Sequence, residues 1–177
     1  ERSVVIAGFG GQGVILAGKI LAQAGMNHEL EVTWLPSYGP EMRGGTANCT
    51  VVLSDQPVGS PIVDEPTALV AMNRPSLDKF ETSVTAGGAI IVNTSLVERK
   101  TDREDIEAVY VPLNEIAREV GSARAINMVA LGALIKATRA VPLEIVKATM
   151  TEMLQESGKA KFIPLNEQAL DRGFSAV

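Results

Sequence analysis

At 177 residues the chain has the length of one ordinary domain, and 46% hydrophobic against 21% charged residues is the balance of a globular protein with its own core. Its 16 basic and 21 acidic side chains give a net charge of −5 with no basic cluster, which excludes the electrostatic footprint of a nucleic-acid binder. No apolar run approaches the roughly 20 residues that span a bilayer, and no basic-then-apolar leader opens the sequence, so the expected location is the cytoplasm, away from membranes.

Taken in order, strand-like and helix-like segments alternate, which predicts an α/β layered sheet in a single domain over 1–177. Ser3, Val4, Val5, Ile6 and Ala7 form a β-rich run, and a helix is expected over about 12–27. A second strand covers 31–35 and is stopped by Pro36, and a polar loop rich in Gly and Pro follows to Gly45. The β-branched alternation of 46–53 predicts a third strand, for which antiparallel pairing is one option. A connection with three prolines runs from Asp55 to Pro66, with room for a short strand at Ile62 and Val63. Buried-type strands are expected at 68–72 and 89–93, with a helix over 75–83 between them.

The second half is more helical: a short strand at 109–111, then helices over 113–120, 127–138, 142–155 and 166–172. The helix over 127–138 is apolar, alanine or glycine all round until Lys136, so it is either deeply buried or pressed against a partner. Together with the apolar end from Phe174 to Val177, it makes self-association of the chain alone an expectation.

Two stretches carry chemical information. Gly8-Phe9-Gly10-Gly11-Gln12-Gly13 places glycines at the first, third and sixth positions of a strand–turn–helix fingerprint. Glycine there permits the tight turn, lets a ligand approach the backbone, and lets helix and strand pack closely. The free N–H groups and positive dipole end of the following helix favour an anion. A nicotinamide dinucleotide site would also need an acid at the end of the second strand, where Trp34, Leu35, Pro36 and Ser37 stand; Glu29 and Glu31 lie at its other end. The alternative is that these glycines only allow a tight crossover.

The second stretch is the loop from Pro36 to Gly45, which leaves the sheet from the same edge as the glycine turn. Arg43, followed by Gly44 and Gly45, suits a phosphate or carboxylate, with Glu41 as a nearby acid. Tyr38 and Met42 suit a contact surface, and composition alone does not choose between ligand, partner and solvated loop. No catalytic constellation appears. His28, the single histidine, sits where it would cap a helix, and Cys49 reads as a small buried hydrophobe. With one Cys and one His the chain assembles no zinc or iron–sulfur site from those residues alone, and the acids from Glu98 to Glu107 read as a solvated surface.

These stretches, Gly8 to Val14 and Pro36-Ser37-Tyr38-Gly39-Pro40-Glu41-Met42-Arg43-Gly44-Gly45-Thr46-Ala47, strongly resemble the gamma subunit of the 2-oxoacid:ferredoxin oxidoreductases. Asn127-Met128-Val129-Ala130-Leu131-Gly132-Ala133 is similar to that family's late helix, so the resemblance covers essentially the whole chain. It implies a Rossmann-like, mostly parallel sheet with helices on both faces. It also implies a part of an enzyme that oxidatively decarboxylates a 2-oxoacid, passes electrons to ferredoxin and releases acyl-coenzyme A. Thiamine diphosphate, magnesium and iron–sulfur clusters would then sit in alpha, beta and ferredoxin-like delta partner subunits. Coenzyme A is the ligand implied for this chain, its diphosphate lined by Gly8, Gly10, Gly11, Gln12 and Gly13, with Asn93 and Thr94 as further candidates. Tyr38, Glu41, Met42, Arg43, Gly44, Gly45 and Asn127 would serve the same anion or the subunit interface. Pyruvate-type relatives more often carry two basic residues where Met42 and Arg43 stand, so the resemblance favours 2-oxoglutarate or a branched-chain acid. A stand-alone NAD(P)-dependent oxidoreductase and a purely structural subunit are the rival classes.

Overall fold

A six-stranded sheet in the order β2-β3-β1-β4-β5-β6 organises the computed structural model, which describes residues 1–39 and 45–177. In chain order the elements are β1 (Arg2–Phe9), α1 (Val14–Asn27), β2 (Glu31–Tyr38), β3 (Thr46–Ser54), β4 (Ala68–Ala71), α2 (Arg74–Phe80), β5 (Ala89–Asn93) and β6 (Glu107–Val111). Then come α3 (Leu113–Val120), α4 (Ile126–Thr138), α5 (Leu143–Glu156) and α6 (Ile163–Ser175). Short 3₁₀ turns at Ala123–Ala125 and Ala160–Phe162 lead into α4 and α6. Strands β1, β4, β5 and β6 run parallel, while β3 is antiparallel to both β1 and β2.

The antiparallel β3 lies between β1 and β2, so those two strands run the same way and both end at the edge of the glycine turn. Pro36 does not stop β2. The strand is at the sheet edge, paired only with β3, and there a missing N–H costs no ladder bond. Residues Ile62 and Val63 form no strand, and the last helix is longer than expected because Pro164 sits in its first turn, where proline is tolerated.

Alternation along the strands divides the core in two. Val4, Ile6, Cys49, Val51 and Val70 face the layer of α1, α3, α4, α5 and α6. Val5, Ala7, Leu69, Ile90 and Val92 face α2 with Val84 and Val97. Helix α4 is the centre of the thicker layer: every residue from Ile126 to Ile135 is buried, chiefly against α6. Its all-round apolar surface is therefore covered within the chain, and this ground for expecting self-association falls away. His28 is the C-cap of α1, its N–H donating to Ala24 O at 2.9 Å. No helix among the described residues is long and apolar enough to cross a membrane.

Candidate functional site

The two informative stretches, far apart in sequence, meet at the carboxyl-terminal edge of β1. Gly10 N–H donates to Gly45 O at 2.8 Å, and Gly39 N–H donates to Thr46 O at 2.7 Å, which ties both ends of the loop to the sheet. Glu41, Met42, Arg43 and Gly44, named above as contact residues, lie outside the described residues. Tyr38 is 67% exposed beside the turn, an unusual setting for so large a ring.

The turn is built to leave N–H groups free. Gly11 and Gly13 take left-handed conformations, with φ of 93° and 73°, a region that disfavours any side chain. The first bond of α1 is Ala17 N–H to Gly13 O at 3.0 Å. Consequently the N–H groups of Gly11, Gly13, Val14, Ile15 and Leu16 find no acceptor among the described residues. No side chain caps the helix and no acid stands in its first turn, so nothing in the chain's own first turn neutralises the dipole end. A Cβ at Gly11 would meet open space, whereas one at Gly13 would stand 2.5 Å from Asn127 Nδ2.

Gln12 holds the turn from within. Its Oε1 accepts from Phe9 N–H at 2.6 Å and from Asn73 Nδ2 at 3.2 Å, and it would collide with any Cβ at Gly8. The Gln12 side chain is thus a brace, and its expected role as a ligand contact passes to the backbone around it. Asn73 completes the brace while capping α2, its Oδ1 accepting from Ser76 N–H at 2.9 Å. On the other side Asn127 Nδ2 donates to Gly13 O at 3.3 Å. Asn127, expected to serve the anion or the subunit interface, lies against the turn. Asn73 was missed, although an Asn two residues before a helix-opening proline is a capping signal.

Asn93 is a correction. It is fully buried and all its side-chain capacity is spent inside the protein: Nδ2 donates to Met72 O at 3.0 Å and Asn114 Oδ1 at 2.8 Å. Its Oδ1 accepts from Leu113 N–H and Ser95 N–H at 3.1 and 3.2 Å. It ties the end of β5 to α3 and offers nothing to a ligand. Thr94 is exposed, but β4 separates its strand from β1.

A groove of about 580 Å³ runs from the turn along α1, lined by Gly10, Gly11, Ile15, Leu16, Trp34 and Tyr38 with Lys19 on its wall. Lys19 is exposed and is the cation that chain-order reading overlooked. Behind it Cys49 is buried, its Sγ donating to Val14 O at 3.4 Å. Burial pushes its thiol pKa from 9.0 up to about 12, against a smaller opposing pull from the Trp34 indole N–H, which faces the sulfur without satisfying hydrogen-bond geometry. The carboxylates at 98–107 are exposed, and Asp105 is held below the usual range by its ion pair with Arg103. The described residues contain no group of three or more His, Cys, Asp or Glu arranged to hold a metal.

At the carboxyl end of β2 the described residues offer Tyr38 and no acid, and Glu31 sits at the opposite end of that strand. What remains is a glycine turn with unpaired N–H groups at the start of a helix, opening into a mostly apolar groove.

Comparison with known proteins places this architecture. The chain is 43% identical over 173 residues to the ketoisovalerate oxidoreductase subunit VorA of Methanothermobacter marburgensis, covering 98% of this chain and 36% of that protein. The chain thus spans about a third of the length of this relative. Among solved structures, the gamma subunit of a keto/oxoacid ferredoxin oxidoreductase from Geobacter sulfurreducens superposes with a TM-score of 0.84 at 30% identity, covering 99% of this chain and 98% of that one. A 2-oxoglutarate:ferredoxin oxidoreductase from Magnetococcus marinus, with 2-oxoglutarate, coenzyme A and succinyl-CoA bound, gives 0.85 at 25% identity, covering 99% of this chain and 30% of that one. The pyruvate ferredoxin/flavodoxin oxidoreductase family model matches residues 3–176, and the chain belongs to that family.

Proposed function

We propose that this chain is the gamma component of a 2-oxoacid:ferredoxin oxidoreductase and that it supplies the anion cradle for coenzyme A. The observation that carries the reading is the set of N–H groups of Gly11, Gly13, Val14, Ile15 and Leu16 that no described residue satisfies, opening onto free space at Gly11. Backbone donors of this kind, aligned with a helix dipole, suit a diphosphate, and Lys19 adds a full positive charge nearby. The coenzyme A named with the Magnetococcus marinus relative supports the choice of ligand. The ketoisovalerate and 2-oxoglutarate named with the relatives favour a branched-chain 2-oxoacid or 2-oxoglutarate as substrate. Decarboxylation and electron transfer then belong to alpha, beta and delta partners carrying thiamine diphosphate, magnesium and iron–sulfur clusters, with ferredoxin as acceptor. This chain's own part is to bind and orient the acyl acceptor.

The test is Gly11→Asp in the assembled complex. It forces a side chain into a left-handed position and sets a carboxylate among the free N–H groups. Coenzyme A at about a hundred times its Kd should stabilise the wild-type complex by about 2.7 kcal/mol, and the variant should lose at least about tenfold in affinity. A wild-type complex whose melting ignores coenzyme A removes the assignment.

A further inference from the structure

Strand β2 is an open edge of the sheet, bonded to β3 on one side and to no strand on the other among the described residues. Which of its backbone groups are free follows from one bond: Gly39 N–H donates to Thr46 O, and the same register opposes Ser37 to Asn48, Leu35 to Thr50 and Thr33 to Val52. Bonded and unbonded pairs alternate along an antiparallel ladder, so Val32, Trp34, Pro36 and Tyr38 turn their backbone groups outward. Pro36 agrees with this parity, since it stands where the ladder asks for no N–H. No other backbone group among the described residues takes up those of Val32, Trp34 or Tyr38 on that side. Edges are usually blunted by charge, by shortness or by a covering element, yet β2 runs for 8 residues with its only charge, Glu31, at its first position.

The side chains along this edge are also unfinished. Val32 and Trp34 pack towards α1, which places Thr33, Leu35 and Ser37 on the opposite face of the sheet. Leu35 is 42% exposed there, and Tyr38 stands out at the end of the strand. The Thr33 hydroxyl is shut off from water and has no hydrogen-bond partner, a costly state for a buried polar group.

A second copy of the same strand completes all of these at once. We propose that two copies of this chain join through β2, edge to edge and antiparallel, about a two-fold axis at Leu35, so that one continuous sheet crosses the pair. In this register Val32 opposes the second copy's Tyr38 and exchanges both backbone bonds with it. Trp34 opposes the second copy's Pro36 and donates its N–H to that carbonyl, with indole and proline ring side by side on the α1 face. Leu35 meets its own copy on the axis, and Thr33 falls opposite the second copy's Ser37, whose hydroxyl it reaches by a turn about χ1. Centring the pair on Thr33 or Trp34 instead leaves Tyr38 beyond the end of the facing strand, and centring it on Pro36 sets proline against proline with no bond between them. The pairing does not depend on what the glycine turn binds.

Sedimentation and cross-linking of the full chain test this. The wild-type chain should sediment as a dimer, and Leu35→Lys, which sets like charges face to face on the axis at a half-exposed edge position, should weaken the dimer at least about tenfold. Leu35→Cys should oxidise with copper phenanthroline in air to a disulfide-linked dimer, because facing residues of an unbonded pair have Cα atoms about 4.5 Å apart, within the range a disulfide spans. Ile62→Cys, at a side chain 70% exposed and away from β2, is the collision control and should cross-link far less, while buried Cys49 stays silent. A wild-type chain that stays monomeric at about 100 μM overturns the pairing. So does a dimer indifferent to Leu35→Lys, or a Leu35→Cys chain that cross-links no faster than the control. In the assembled complex, Leu35→Cys linked only to a different subunit overturns it as well, and gives the edge to a strand of that subunit.

Discussion

Cys49 shows how little a residue type says until its surroundings are known. The thiol is fully buried between β3 and α1, and its pKa of about 12 lies well above the ordinary 9.0. A folded-state pKa above the unfolded one means that the native state keeps its proton while the unfolded chain loses it. The contribution of this thiol to stability is therefore whole below pH 9 and is lost as pH rises from 9.0 towards about 12. In the native protein at pH 8, Ellman's reagent should titrate no thiol, and in denaturant it should titrate the single cysteine; rapid reaction in the native state would contradict the burial. Gln12 and Asn93 teach the same lesson from the other side. Both occupy positions where a ligand contact was expected, and both prove to be internal braces, because a polar side chain beside unsatisfied backbone groups takes the nearest of them first. Sequence pointed to two stretches that meet in the structure, but not to which of their atoms were already spent.

At the scale of elements, the pairing of α4 with α6 decides the thickness of the main layer. A Cβ at Gly132 would lie 2.1 Å from Leu170 O, and one at Gly173 would lie 1.9 Å from Val129 O, so the two backbones approach until only glycine fits on either side. Gly173→Val must push the helices apart, and a destabilisation of about 3 kcal/mol or more in urea unfolding is expected, with far-UV circular dichroism retaining its helical shape. A loss below about 0.5 kcal/mol would show that the helices part freely. This contact explains why α4 misled the reading of surface. Its composition signalled burial correctly, but a sequence does not say whether the covering element is its own or a partner's. The strands were more legible: the six that form were all anticipated, although Ile62 and Val63 form none, β1 and β6 run past their expected ends, and β2 continues through Pro36, where proline reads as a stop unless the edge position is known.

For the molecule as a whole, the alternation of elements gave the α/β class, and the ten-residue loop motif with the glycine turn carried the family resemblance that the comparisons bear out. What chain order did not reveal is that the loop and the turn are joined, because that contact depends on β3 running backwards between β1 and β2. The net charge of −5 is also uninformative about the site, since Lys19 stands on the groove beside the glycine turn.

Among the described residues the sheet carries five α-helices on one side and α2 on the other. Amide protons should therefore exchange with deuterium in a set order, first in α2 and the segment around Val84, last in α4 and the strand residues beneath it. The lopsided sandwich has a thin door and a thick wall. Loosening of α2 would reach the glycine turn through one residue, Asn73, which caps that helix and holds the Gln12 side chain from behind.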